Sequence, residues 1–396
     1  MKKLPVEVEG SARRPLGMPA ARFLRDYWQK RPLLIRNAFP GFVSPITPED
    51  LAGLACEQAV LSRIVVHHRR GDRWELRNGP FDEAVFPAMP QRDWTLLVQD
   101  VDKWDLDVRA LLAYFRFLPA WRLDDIMVSF AAPGGSVGAH VDQYDVFLLQ
   151  AQGRRRWQID TRPDAPRGFR PDAELKLLRH FEPDHDWVLA PGDMLYLPPN
   201  LPHHGVAVDA CLTFSVGMRA PSRAELLLDL AEALAAALPE EDRYADPDLE
   251  PPADPFEIDA AALARVRAAL SGMAAPDGAT LADWFGRFIT RYRSGGEIPP
   301  SRRAPTFDRV LASLERGGRL LRHPQARYAW ARTGRRARLF ANGLGFDMGL
   351  RSARSLAAAD ELEAATVAAL DAAAQKALAS LVARGHYVLR PPPRRR

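Results

Sequence analysis

Pro133-Gly134-Gly135-Ser136-Val137-Gly138-Ala139-His140-Val141-Asp142-Gln143-Tyr144-Asp145 is a glycine-rich approach to a histidine and an acid two residues apart. In an extended chain, residues i and i+2 point to the same face. His140 and Asp142 therefore converge, and Val141 points away. One imidazole and one carboxylate on one face make two thirds of a facial triad, the donor set that suits Fe(II) and leaves three cis positions open. A third donor is expected one strand pair later. Residues 191–205 read PGDMLYLPPNLPHHG: a Pro-Gly-Asp turn, a strand over Met194 to Leu197, then prolines that stop it before His203 and His204. His203 follows His140 by 63 residues, enough for several strands. His204 is the rival donor, and the pattern alone leaves the pair open.

Outward from this stretch the chain reads mostly β. Short apolar runs broken by Pro and Gly lie at Leu33 to Ile35, Ile126 to Phe130, Val146 to Gln150, Trp157 to Ile159, Met194 to Leu197 and Leu212 to Val216, which predicts a barrel or sandwich. Residues 17–30 carry a helical pattern. After a turn at Gln152-Gly153, alternation puts Arg155 on the face of Trp157 and Ile159, and Arg154 and Arg156 on the other. Trp157 and Ile159 must face the core, so Arg155 points inward. A buried guanidinium needs an acid partner, from the protein or from a dicarboxylate held by a bidentate fork. Ser129, a polar residue in the apolar strand before the His140 loop, could donate to the same carboxylate or to backbone.

The 396 residues suggest two or three domains, with a 47% hydrophobic and 26% charged composition that excludes disorder as the main state. Cys56 and Cys211 cannot make a disulfide framework or a Cys-rich zinc site, and are expected to be buried. No secretion signal or membrane span is read, since Pro5 to Glu9 follow the basic start and the most apolar helix carries Glu225, Asp229 and Glu232. The expectation is a soluble cytoplasmic protein. Charge is uneven. Residues 223–260 hold twelve acids and two Arg, and residues 301–354 hold thirteen Arg and three acids. Arg390 to Arg396 add four more Arg. These are solvated faces or a surface for an anionic partner such as ribosomal RNA.

Past residue 222 the pattern turns helical. Pro221-Ser222 opens a helix with Leu226, Leu227, Leu230, Ala233, Leu234 and Leu238 on one face. A link at Asp246 to Pro255 precedes helices at Ala260 to Leu270 and Leu281 to Tyr292, and Ser294 to Pro300 reads as a linker. A helix at 306–316, strands at 319–323, 326–331 and 336–341, an Ala-rich helix over about 356–383 and a strand at His386 to Leu389 suggest a winged helix.

The run from Ser129 through Trp157, the PGDMLYLPPNLPHHG segment and Thr213 to Pro221 together resemble the JmjC-type ribosomal oxygenases. The likeness is to the bacterial branch, the arginine hydroxylases of large-subunit ribosomal protein L-sixteen. Tyr27 to Ile35, Asn78 to Phe81 and Trp94 to Gln99 match that family too. The resemblance implies an α+β chain: a double-stranded β-helix (cupin/JmjC jelly roll) catalytic domain over 1–222, a helical dimerisation domain over 223–300 and a winged-helix-like domain with an Arg-rich tail over 301–396. It implies Fe(II) on His140, Asp142 and His203, 2-oxoglutarate gripped by Arg155 with Ser129 nearby, and O2 as co-reactant. The implied activity is that of a ribosomal protein arginine 3-hydroxylase acting as a homodimer. Phe130, Phe147, Trp157 and Phe214 are expected to enclose the reacting centre, and Tyr144 and Asp145 to receive an arginine. In the family a Glu commonly follows the distal His, where this chain has His204. Hydroxylation of a ribosomal-protein histidine, and a cupin joined to a DNA-reading winged helix, are the competing readings.

Overall fold

The computed structural model describes residues 4–241, 243–247, 249, 258–271, 276–291 and 298–392. The expected link at Asp246 to Pro255, the linker at Ser294 to Pro300 and the terminal arginines Arg394 to Arg396 fall wholly or largely outside them. The chain divides into two compact units: Met1–Ala220 with Tyr292–Pro299 and His323–Gln325, and Pro221–Arg291 with Pro300–Arg322 and Ala326–Arg396.

The first unit has twelve strands among its described residues: β1 (Glu7–Glu9), β2 (Leu33–Arg36), β3 (Ser62–His68), β4 (Arg73–Asn78), β5 (Trp94–Val98), β6 (Leu123–Ala131), β7 (Val146–Gln152), β8 (Arg155–Ile159), β9 (His185–Leu189), β10 (Met194–Leu197), β11 (His203–Ala207) and β12 (Cys211–Met218). Nine of them form one sheet in the order β1-β2-β10-β7-β12-β6-β5-β3-β4, and β11-β8-β9 form a second. Apolar residues of both sheets meet in one cluster, with Leu34, Val146, Leu148, Leu195 and Leu197 from the large sheet against Trp157, Ile159 and Leu189 from the small one. This is the interior of a double-stranded β-helix. The opposite face of the large sheet is equally buried. Phe147, Leu149, Phe214 and Val216 pack there with Phe23 and Tyr27 from and beside α1 (Ala20–Asp26), in the largest core. A sheet covered on both faces explains why β7 opens with four consecutive apolar residues, Val146 to Leu149, and not with an alternating pattern.

The expected apolar runs all lie in strands. Two expectations are corrected. The helix over 17–30 is only the seven residues of α1, because Gln29 takes a positive φ and the chain turns into β2. His203, expected beyond the end of a strand, opens β11 and pairs with Ile159 of β8.

The second unit begins with α2 (Arg223–Ala235), where Ser222 and Glu225 form a reciprocal capping box. It continues with α3 (Ala260–Ser271), α4 (Gly278–Thr290) and α5 (Phe307–Glu315). Strands β13 (Arg319–Arg322), β14 (Tyr328–Thr333), β15 (Arg336–Ala341) and β16 (Leu344–Gly349) follow. Next come α6 (Leu350–Ala358), β17 (Glu361–Leu362), α7 (Ala364–Ala368), α8 (Ala372–Ala383) and β18 (Tyr387–Arg390). The single Ala-rich helix expected over 356–383 is therefore three helices and a short strand. Ala359 is extended, Leu362 pairs with Leu320, and Asp371 caps α8 by accepting from Ala373 and Ala374 N–H groups. Alanine favours helix throughout this stretch, but a side-chain cap and strand pairing override propensity. Among the described residues no helix is long and apolar enough to cross a membrane.

Candidate active site

His140 and His203 are brought together by backbone. Each donates its N–H to the other's carbonyl at 3.0 Å, an isolated antiparallel bridge that ties the glycine-rich loop to β11. Their rings lie 4.2 Å apart between centroids. The Nδ1 of His140 donates to Gly138 O at 2.9 Å and that of His203 to Leu201 O at 2.8 Å. Both rings thus hold their proton on Nδ1 and present Nε2 as a lone pair. Asp142 completes the group, 4.0 Å from His140 Nε2 and 3.6 Å from His203 Nε2. The three donor atoms lie within 4.8 Å of one another, close enough for one cation. Burial first, then the neighbouring imidazole, pushes His203 down to about 4, so it is neutral at physiological pH, the form that ligates. His204 points to the other side of β11, half-buried, with its ring edge-on to Phe181 at 6.0 Å. It takes no part in the cluster.

Arg155 is 3% exposed, between the exposed Arg154 and Arg156, which pair with Asp209 and Asp186. Among the described residues it makes no ion pair. Its fork donates to Ser129 Oγ at 3.4 Å and Gly205 O at 3.3 Å, both long, and Nε has no partner. Its guanidinium lies 5.0 Å over Trp157, and burial lowers its pKa. A Cβ at Gly205 would come within 2.8 Å of Arg155 Nε and 2.7 Å of Trp157, so only glycine leaves room for this arrangement. A desolvated cation with spare donors and no anion is a receptor for a carboxylate. Together with the three-atom cluster, it fits a cation and a dicarboxylate.

The inward face of β6 runs from this receptor to a second acid. Asp125, Met127, Ser129 and Ala131 share that face, with Thr213 and Ser215 of β12 opposite Ser129 and Met127. Asp125 is buried, and desolvation with Asp100, Asp124 and Asp102 raises it to about 7. Tyr144, 40% exposed, has its hydroxyl pushed up by burial and by the charges of Asp142 and Asp125. The sequence reading missed Asp125. Its signal was an acid in phase with Ser129 at the mouth of an apolar strand.

Asp145, expected to receive an arginine, is instead fully buried. It accepts from Tyr196 Oη at 2.7 Å, Gln29 Nε2 at 2.9 Å and Arg122 at 3.1 Å. Tyr27-Trp28-Gln29 thus buttresses the site from behind, with Trp28 stacked on Tyr196. Of the four aromatics expected around the reacting centre, only Trp157 is there, 6.0 Å from His203. Phe147 and Phe214 belong to the core on the other face of the sheet, and Phe130 packs on Trp94 there. Alternation decides this: Phe130 and Phe214 are out of phase with Ser129 and Thr213.

Two family models match, a JmjC domain over residues 110–226 and a ROXA-like winged helix over residues 274–388. The chain is 38% identical over 301 residues to the Ribosomal protein uL16 3-hydroxylase of Escherichia coli, covering 76% of this chain and 79% of that protein. It is 44% identical over 206 residues to a probable ribosomal oxygenase of Haemophilus influenzae, covering 52% of this chain and 50% of that one. The solved structure of Escherichia coli YcfD superposes with a TM-score of 0.81 at 34% identity, over 94% of this chain and 98% of that one. The structure of that ribosomal oxygenase with cobalt and 2-oxoglutarate superposes with a TM-score of 0.79, at 34% identity and the same coverage. A site able to hold a cation and a dicarboxylate, on a chain of matching fold over nearly its whole length, belongs to the bacterial JmjC-domain ribosomal oxygenases.

Proposed function

We propose that the protein hydroxylates an arginine side chain of large-subunit ribosomal protein uL16, using Fe(II), 2-oxoglutarate and O2. The observation that carries this reading is one barrel holding both the His140–Asp142–His203 cluster and a buried guanidinium that lacks an anion. The three side chains hold the metal, with Nδ1 protons kept on backbone carbonyls so that both Nε2 atoms face it. Arg155 and Ser129 grip the far carboxylate of 2-oxoglutarate and set its orientation. When bound, the iron centre supplies the oxidation: 2-oxoglutarate is split to succinate and carbon dioxide, one oxygen atom entering succinate and the other a substrate C–H bond. Trp157 and the apolar interior beside it keep water from the cosubstrate end.

Asp125 receives the substrate guanidinium, with Tyr144 alongside. The deprotonated form binds the cation, so the KM for a uL16 peptide is expected to rise as pH falls through about 7. Asp125→Asn is expected to raise KM about tenfold or more and flatten that pH dependence, with kcat less affected. Mass spectrometry of the peptide tests the whole reading: one added oxygen atom on arginine, dependent on 2-oxoglutarate, is expected. Oxygen on histidine, or none, would overturn it.

The second unit presents an apolar cleft of about 510 Å³ lined by Leu226, Leu227, Leu230, Leu281, Trp284 and Phe285, with Leu227 67% and Leu281 44% exposed. A second copy covers it in a symmetric dimer. Residues 223–300 act as the dimerisation segment and 301–396 as the winged-helix part. Sedimentation is expected to give a dimer at micromolar concentration, and Leu227→Glu a monomer. A wild-type monomer would refute the dimer. The Arg-rich winged helix contacts ribosomal RNA, and the cytoplasm is where such a substrate is made.

A further inference from the structure

We infer that the β14–β15 hairpin and the adjoining face of α6 form a binding surface for single-stranded RNA. This rests on the ribosomal reading above and identifies the residues that make the contact. Five arginines lie at one end of the small sheet, with Arg332 and Arg336 sent to opposite faces of the hairpin by alternation. Arg332, Arg335 and Arg336 surround the hairpin turn, where Thr333 pairs with Arg336. Arg336 in turn pairs with Gly349, the last residue of β16 and the N-cap of α6, so Arg351 follows two residues beyond the same sheet end. Arg354 lies one turn further along the helix, on the face away from the buried Ser352, Ala353 and Leu356.

All five are exposed. Among the described residues none of the five makes an ion pair or a side-chain hydrogen bond. The nearby acids are already engaged. Asp347 pairs with Arg338 at 2.8 Å, and Asp371 accepts the N–H groups of Gly349, Ala373 and Ala374. On β13 Arg319 is matched by Glu361 and Arg322 by Asp360. The hairpin end thus carries five exposed positive charges without an acid partner among the described residues, a positive field that attracts a polyanion. Trp330, 38% exposed, stands two residues before Arg332 on the same face of edge strand β14. An indole beside free guanidinium groups is what an unpaired nucleotide requires: a stacking platform and phosphate donors. Duplex DNA would use the phosphate donors only.

The test uses the full chain and fluorescence anisotropy with a labelled mixed-sequence RNA single strand, and with a DNA duplex of the same sequence, over a range of salt. The wild type is expected to bind the RNA more tightly, with steep salt dependence. Arg332→Ala/Arg335→Ala/Arg336→Ala is expected to weaken RNA binding about tenfold and lower the log–log salt slope by about 2. The matching triple Lys variant, which keeps the charge, is expected to retain that slope, and Trp330→Ala to remove the preference over duplex DNA. Unchanged binding in the triple Ala variant, or tighter binding of the duplex by the wild type, would overturn the inference. Hydroxylation of a short uL16 peptide is measured in the same samples. Its absence in the wild type would sink the enzymatic reading without touching the RNA result.

Discussion

Alanine at His140, Asp142 or His203 is expected to cut 2-oxoglutarate-coupled hydroxylation by more than about a hundredfold, since even the partners of metal ligands cost ten- to a hundredfold when lost. Alanine at His204 is expected to leave most of it. The two neighbouring histidines make a sharp comparison, because β11 sends them to opposite faces. Calorimetric titration with Mn(II) provides a second readout that does not depend on turnover. The His140, Asp142 and His203 variants lose binding and the His204 variant keeps it. Far-ultraviolet circular dichroism is expected to match the wild type throughout, because the bridge between residues 140 and 203 is made by backbone and survives all four substitutions. Full activity in Asp142→Ala, or loss of Mn(II) binding confined to His204→Ala, would remove the proposed ligand set.

The second large effect concerns Arg155. Its guanidinium is buried with only two long hydrogen bonds and a free Nε, so most of its donor capacity awaits a carboxylate. Losing a charge-assisted bond costs about 1.5–3 kcal/mol, roughly a ten- to hundredfold rise in the 2-oxoglutarate requirement for Arg155→Ala. Arg155→Lys keeps the charge, loses the second parallel bond, and is expected to rise less. Arg154→Ala and Arg156→Ala are controls, since each of those side chains is exposed and spoken for by Asp209 or Asp186. Titrating turnover against 2-oxoglutarate in the four variants checks this. A large rise in either control with none in Arg155→Ala would assign the carboxylate to a different face of β8.

What the sequence made legible was what local periodicity controls. Strict alternation over Arg155, Trp157 and Ile159 placed one charge inside the barrel, and His-x-Asp placed two donors on one face. The partners of those residues were not legible, because they are set by packing between distant segments. Nothing near Asp145 in sequence indicates that Gln29 and Tyr196 claim its carboxylate. Phe147 read as a candidate for the reacting centre because β7 carries apolar residues on both faces, whereas Phe214 alternates with Thr213 and Ser215, which take the inward face. Only the second core behind the sheet, built on Phe23 and Tyr27, separates the two sides of β7. Asp125 escaped notice for the opposite reason: the part proposed for it rests on its burial and on the phase it shares with Ser129, neither of which is marked by a motif. In the C-terminal part, alanine composition hid the break before α8, which a single aspartate cap imposes.

The paired amides of residues 140 and 203 divide labour among the three donors. Both imidazoles are clamped at two points, through their own backbone and through an Nδ1 proton on a fixed carbonyl. Among the described residues the Asp142 side chain has no such second anchor; its carboxylate faces the two rings. An ion held by these three side chains would therefore meet two stiff arms and one compliant one. A difference in ionic radius would be taken up by rotation of that single carboxylate, leaving the barrel wall that carries the histidines in place. Selection among divalent ions would then rest on the two-nitrogen, one-oxygen donor set and on metal availability more than on a rigid cavity size.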